Sequence, residues 1–269
     1  MTGNAGGRLS RYGLRFVALL YLAALLLAPI GVALVKTFDE GIGEVITQVT
    51  KPDAVHALKL SLITVIIAVP LNTIFGIAAA HVVVRTNFRF KWAVNALIDM
   101  PFAVSPVVIG LALILVYGTG GWFGADLASM GIQVIFSTPG IVMAVVFVSL
   151  PFVAREVIPV MQEIGTDQET AAETLGAGPW QTFRSITLPA IRWGVTYGIV
   201  LTTARALGEF GAVTVVSGNI SGETQTLPLY VSKQFETFNS VGAYSASLIL
   251  AILALGTLLT MNLLRRKED

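Results

Sequence analysis

With 269 residues, 55% of them hydrophobic and only 12% charged, the chain departs far from the roughly one-quarter charged content of soluble domains, and its mean hydropathy of +0.78 marks an all-α integral membrane protein. A net charge of +1, spread over both signs, excludes a basic face for nucleic acid and an acidic solvating tail. The absence of cysteine excludes disulfides, thiolate metal sites and cysteine nucleophiles.

Apolar runs of about 20 residues, enough to cross a hydrocarbon core of roughly 30 Å, predict six transmembrane helices. They lie near Leu14–Val35, Leu58–Val84, Trp92–Tyr117, Pro139–Ile158, Ile191–Val216 and Ala243–Leu264. The first follows Arg8, Arg11 and Arg15, as a signal peptide would, but exceeds the about 7 to 15 apolar residues of a cleaved leader, so it reads as an uncleaved span. One domain is expected over residues 14–264, with short tails at 1–13 and 265–269.

Orientation follows from Lys and Arg, which concentrate in short cytoplasmic loops. Arg8, Arg11, Arg15, Arg85, Arg89, Lys91, Arg155, Arg184, Arg192, Arg265, Arg266 and Lys267 share one side of a six-span layout. Lys36, Lys51, Lys59 and Lys233 fall on the other, and Arg205 lies within a span. Both termini and the polar loop Glu163–Pro189 are therefore expected in the cytoplasm.

In chain order, Pro70 and Asn72 predict a kink in the second span, and His81 an interfacial polar residue. Pro101 and Pro106 interrupt the third span, with Asp99, roughly 12 Å in from Lys91, as a buried charge that caps or pairs across the break. In the polar loop, Thr166 and Glu169 have the spacing of a capping box that starts a short helix over Asp167–Leu175. Gly176 supplies its left-handed stop, and Gly178 with Pro179 opens a second helix carrying Trp180 and Phe183 on one face. Such a polar, ordered loop in an apolar chain offers a grip to a partner, or rests on the membrane surface as amphipathic helices.

The spacing Ala171, Ala172, three residues, Gly176, nine residues, Ile186, Thr187, Leu188, Pro189 resembles the EAA loop of permease subunits in bacterial ABC importers. The runs Asp99–Leu111, Leu150–Met161, Leu188–Leu201 and Ala204–Ile220 resemble the sulfate/thiosulfate branch of that family, the CysW type of binding-protein-dependent transport inner-membrane component. Molybdate permeases share mainly the core Ala204–Ala212. The resemblance implies a type I importer permease with MetI-like architecture and a coupling helix between spans 4 and 5. It implies a second homologous permease as heterodimer partner, two cytoplasmic ATPases that bind the ATP, and an extracytoplasmic sulfate-binding protein. It assigns ATPase coupling to Thr166, Glu169, Thr170, Ala171, Ala172, Gly176, Trp180, Ile186, Leu188 and Pro189. Where the family carries its leading Glu this chain has Thr170, with Glu169 beside it and Glu173 one turn away as shifted acids.

The fifth span carries Arg205 and Glu209, four apart, roughly 20 and 26 Å in from Arg192. With Gly194, Gly198, Thr202 and Ala212 they form a small and polar stripe. Two readings stand: a translocation path or gate at Arg205, Glu209, Gly198 and Thr202, or close helix packing with a structural ion pair. The outer segment Ser217–Gly242 is either a contact for a binding protein or a connector.

No G-x-x-x-x-G-K-[ST] phosphate loop, H-E-x-x-H pair or G-x-S-x-G elbow occurs, so no catalysis, metal site or resident cofactor is expected. The expected function is a permease for sulfate and thiosulfate. Alternatives are another oxyanion such as molybdate or tungstate, an ATPase-independent secondary transporter or channel, and a non-transporting assembly protein.

Overall fold

The computed structural model describes residues 5–266, and the side chains of residues 13–259. The expected tails fall partly outside: residues 1–4 and 267–269 are not described, nor are the side chains of Arg8, Arg11, Arg265 and Arg266. Among the described residues the secondary structure is entirely helical.

The chain divides into two compact units, one running up to Lys51 and adding Val231–Ile249, the other Pro52–Tyr230 with the residues from Leu250. In the first unit, α1 (Ala5–Leu22) passes through a π-turn at Ala23–Leu27 into α2 (Ala28–Phe38), and α3 (Ile42–Val49) follows. The window of this first apolar helix has no buried residue, and Phe16, Leu19 and Val35 are exposed, as lipid-facing side chains are. A polar knot closes the unit at its loops. Asn239 donates to Gln48 Oε1 at 2.9 Å, Lys51 donates to the same oxygen at 2.7 Å, and Gln48 donates to Glu44 at 2.6 Å.

In the second unit, α4 (Pro52–Arg85) is the longest helix and continues through Pro70. Its packing is the reverse of a soluble helix. Ala57, Ala68, Gly76, Ala79 and Ala80 are buried, whereas Ile63, Ile66 and Ile74 are exposed, because in lipid small residues let backbones approach and bulky ones gain nothing by turning inward. The expected third span is two helices, α5 (Lys91–Ala103) and α6 (Pro106–Tyr117), bent by 111°. Val104 and Ser105 are extended, ψ 135° at each, since proline disfavours helical backbone in the residue before it.

After α7 (Gly124–Ser129), α8 (Thr138–Ser149) and α9 (Pro151–Ile164) make one apolar run reaching six residues beyond the expected end at Ile158. The polar loop holds α10 (Asp167–Thr174) and α11 (Pro179–Thr182), then a π-turn at Phe183–Thr187 and α12 (Leu188–Ala190). The expected fifth span is α13 (Arg192–Leu207) and α14 (Gly211–Ser217), bent by 54° at Gly208–Phe210. Then come α15 (Leu227–Glu236) and α16 (Ser240–Arg266). Among the described residues, four helices are long and apolar enough to cross a membrane, and the two bent pairs bring the number to six if each is one span.

Among the described residues, three apolar clusters hold the second unit. One joins Ala80 and Val83 of α4, Ile98 of α5, Val153, Val157 and Met161 of α9, and Ile191. Another joins Leu60, Ile141, Ala206, Val213 and Leu229. The third joins Ile109 of α6, Ala144 and Val148 of α8, and Ala212 and Val216 of α14. The first cluster ends beside the polar loop, and so carries the loop on the ends of α4 and α9.

Candidate functional site

The polar loop has the two helices expected of it, but starts differently. Thr166 precedes α10 with φ −116° and ψ −3°, and its hydroxyl makes no capping bond, so the capping box is corrected. A cap needs an extended residue whose hydroxyl faces the first free N–H groups, and Thr166 is turned away from that geometry. The helix ends as expected. Gly176 takes φ +88°; its N–H donates to Glu173 O at 3.0 Å, and the N–H of Ala177 donates to Ala172 O at 3.0 Å. That pair of bonds is a Schellman stop. Gly178 is extended, Pro179 opens α11, and the rings of Trp180 and Phe183 stack at 5.7 Å.

Glu169 is occupied elsewhere. Its carboxylate lies 15% exposed, with Oε2 at 2.7 Å from Arg85 Nε, close ion-pair contact though off the hydrogen-bond line. Its Oε1 accepts from Thr187 Oγ1 at 2.6 Å and from Arg85 Nη2 at 3.3 Å. The Arg85 guanidinium, 9% exposed, also donates to Met161 O at 3.1 Å and to Gly165 O at 2.7 Å, the last carbonyls of α9. A cation is favoured at a helix C-terminus by both the dipole and the free carbonyls. Sequence reasoning used Arg85 for orientation only; its partner lies 84 residues away, beyond any periodic signal.

The loop turns two large apolar side chains outward among polar and small ones, Glu173 and Arg184 included. Leu175 is 89% exposed and Trp180 72%, while Thr166, Thr170, Ala171 and Gly176 are exposed around them. Ala172, Ile186 and Leu188 are half-buried, and Pro189 is exposed. Leu175 was not singled out from the sequence, though its place just before the glycine stop marked it.

The fifth-span stripe separates into two parts. A Cβ on Gly198 would lie 2.6 Å from Val153 Cα, and one on Gly194 2.9 Å from Glu156 O, so this part of α13 lies directly on α9. Thr202 is fully buried. Gly198 and Thr202 pack inside the subunit, where small residues permit that approach.

Arg205 and Glu209 do pair, Nη1 to Oε2 at 2.5 Å, but across the break between α13 and α14 rather than along one helix. Glu209 Oε1 accepts the Ala212 N–H at 2.7 Å, holding the start of α14. Glu209 is 1% exposed and Arg205 31%. Neither lines the cavity of about 650 Å³ between Ile114 and Phe136, or the recess of about 450 Å³ lined by Lys91, Asn95, Arg155 and Gln162.

Asp99, expected buried, has its side chain 49% exposed. It takes both the Nε and Nη2 hydrogens of Arg155, Nε at 2.6 Å to Oδ1, so it pairs between α5 and α9 beside the proline break.

A family model, "Binding-protein-dependent transport system inner membrane component", matches residues 72–267. The chain belongs to that family. The permease is 48% identical over 251 residues to sulfate transport system permease protein CysW of Synechococcus elongatus, spanning 93% of this chain and 88% of that protein. It is 45% identical to the CysW protein of Escherichia coli, over 93% of this chain and 86% of that one, and 33% identical to that organism's CysT, over 93% and 90%. Among solved structures, a bacterial alginate ABC transporter in complex with an alginate pentasaccharide-bound periplasmic protein matches with a TM-score of 0.82 over 98% of both chains. At 17% identity that likeness establishes the fold alone, the helical fold of an ABC importer permease.

Proposed function

We propose that this chain is the transmembrane permease subunit of an ATP-driven importer that moves sulfate, and thiosulfate as its close analogue, across the bacterial cytoplasmic membrane. The observation that carries the reading is the 45–48% identity, over nine-tenths of the chain, to proteins named as sulfate transport permeases. The exposed Leu175 and Trp180 on a glycine-bounded helical loop support an outside partner at that place.

The finer arrangement is part of the same proposal. Each bent pair crosses as one span, giving six, with both termini and the loop in the cytoplasm and residues 14–264 acting as one permease domain. The chain pairs with a homologous permease, as the likeness to both CysW and CysT suggests, within surrounding lipid. Two ATPase subunits dock on the loops, and a binding protein delivers the anion outside. The chain holds no cofactor and catalyses nothing; ATP is bound and hydrolysed by the partners.

Closure of the ATPases on ATP draws the α10–α11 loop inward, and the permease pair tilts from inward-open to outward-open. Sulfate enters, and hydrolysis resets the pair. Arg205 with Glu209 gates this path at the α13–α14 break. Because Glu209 neutralises much of the Arg205 field, the pair holds an anion weakly and lets it leave.

Purification tests the reading. The ATPase is expected to copurify with the permease pair, and Gly176→Pro to abolish sulfate uptake by proteoliposomes containing the whole importer. Uptake driven by an ion gradient without ATPase, or unchanged uptake in Gly176→Pro, overturns it.

A further inference from the structure

Nothing apolar fixes α10 to the membrane helices. It has no buried residue, and it lies between two glycine joints, Gly165 at φ +69° and Gly176 at φ +88°. Yet its carboxylate at Glu169 is drawn under the loop, 15% exposed, where both oxygens are used. Arg85, the last residue of α4, reaches the end of α9 through Met161 O and Gly165 O, and α10 through Glu169. Thr187, buried in the π-turn that leads to α13, closes the ring on Glu169 Oε1.

We infer that Arg85 is a positioning residue and that Arg85, Glu169 and Thr187 form a clamp binding the coupling loop to α4 and α9, so that displacement of α10 is passed to the spans rather than absorbed at its glycine joints. The inference rests on the proposed docking of the ATPase at this loop. Glu169 then works inside the permease, because with its two oxygens turned to Arg85 and Thr187 the acid is not offered to the ATPase. Docking falls instead to the outward residues, Leu175 and Trp180.

A low-dielectric ion pair, with Glu169 Oε1 accepting from Arg85 Nη2 and from Thr187 Oγ1, suits this work. Removing one partner strands the other charge beside α9, so the loop does not slip to an equivalent resting place. The π-turn helps by widening the helix where Thr187 must meet the carboxylate; such turns recur at functional sites.

The test uses the complete importer in proteoliposomes with its binding protein, measuring sulfate taken up per ATP hydrolysed. Glu169→Gln and Arg85→Met are expected to leave the ATPase copurifying while lowering sulfate moved per ATP by about 10-fold, within the about 5- to 150-fold range of couplings between sites. Arg85→Lys, which keeps the charge but loses the fork, falls between. Thr187→Val removes a single bond and is expected to lower the ratio by about 3-fold, so it reads the clamp even where Arg85→Met fails to assemble. A simple folding defect lowers uptake and hydrolysis together and leaves the ratio unchanged. A ratio within about 2-fold of wild type in both Glu169→Gln and Thr187→Val overturns the clamp, as does loss of the ATPase from a well-folded Glu169→Gln complex, which would make Glu169 a docking residue. Failure of the wild-type complex to take up sulfate would instead overturn the proposed function.

Discussion

Gly198 and Val153 meet so closely that a Cβ on the glycine would sit 2.6 Å from the valine Cα. From the other side, a Cβ on Gly76 of α4 would lie 2.6 Å from Val153 Cβ and 2.9 Å from the backbone nitrogen of Ala154. Val153, fully buried, is thus gripped between α4 and α13 by two glycines. Helices that cannot rely on a hydrophobic drive in lipid gain their association from this closeness of backbone.

Gly198→Ala and Gly76→Ala are therefore expected to force α13 and α4 away from α9, at about 1–3 kcal/mol each. Thermal melting of the detergent-solubilised permease pair should show both below wild type. Gly13→Ala, in a helix where an added Cβ meets nothing within 4 Å, should melt unchanged.

At the break between α13 and α14, Glu209→Ala removes both the ion pair and the acceptor for the Ala212 N–H, while Glu209→Gln keeps the acceptor. Arg205→Ala leaves a carboxylate 1% exposed without its cation, and is expected to cost about 3–5 kcal/mol. The order of melting temperatures should be wild type, then Glu209→Gln, then the two alanine variants. The double alanine variant should lose less than the sum of the singles, and should fail in sulfate uptake; full uptake by a folded double variant would remove the pair from the gating proposal.

On the loop, Leu175→Asp and Trp180→Ala change outward side chains only. Both are expected to keep the melting temperature of the permease pair while weakening ATPase retention about 10-fold or more, Trp180→Ala by loss of an aromatic anchor and Leu175→Asp by placing a charge in an apolar contact. Retention measured by gel filtration at falling ATPase concentration gives the comparison, and retention equal to wild type in both variants would place the docking surface elsewhere.

Asp99 and Arg155 form a well-made pair, but the side chains are 49% and 34% exposed. Asp99→Asn is expected to cost under about 1 kcal/mol, since solvent or lipid headgroups stand in for a half-exposed partner. A drop in melting temperature matching that of Arg205→Ala would show that a neighbouring subunit buries the pair in the assembled importer.

Much of this protein could be read from residue order because the information is local. Apolar runs, the Gly176 stop, the Pro179 start and the proline breaks around Asp99 each depend on a few neighbouring residues and on a solvent that rejects charge. The packing or path question at Gly198 and Thr202 could not be answered that way, since a glycine stripe looks alike whether it faces a helix or a pore. Nor could the partner of Glu169: from the sequence, Thr166 three residues before it made the nearest bonding group a cap, while Arg85 stood in another span. Only the tertiary structure, by bringing the end of α4 against the end of α9, set a buried guanidinium beside that carboxylate and turned a surface acid into an internal one. Local chemistry determined which segments are helices and where they stop; the long-range burial of charge decided which acid faces a partner and which holds the chain to itself.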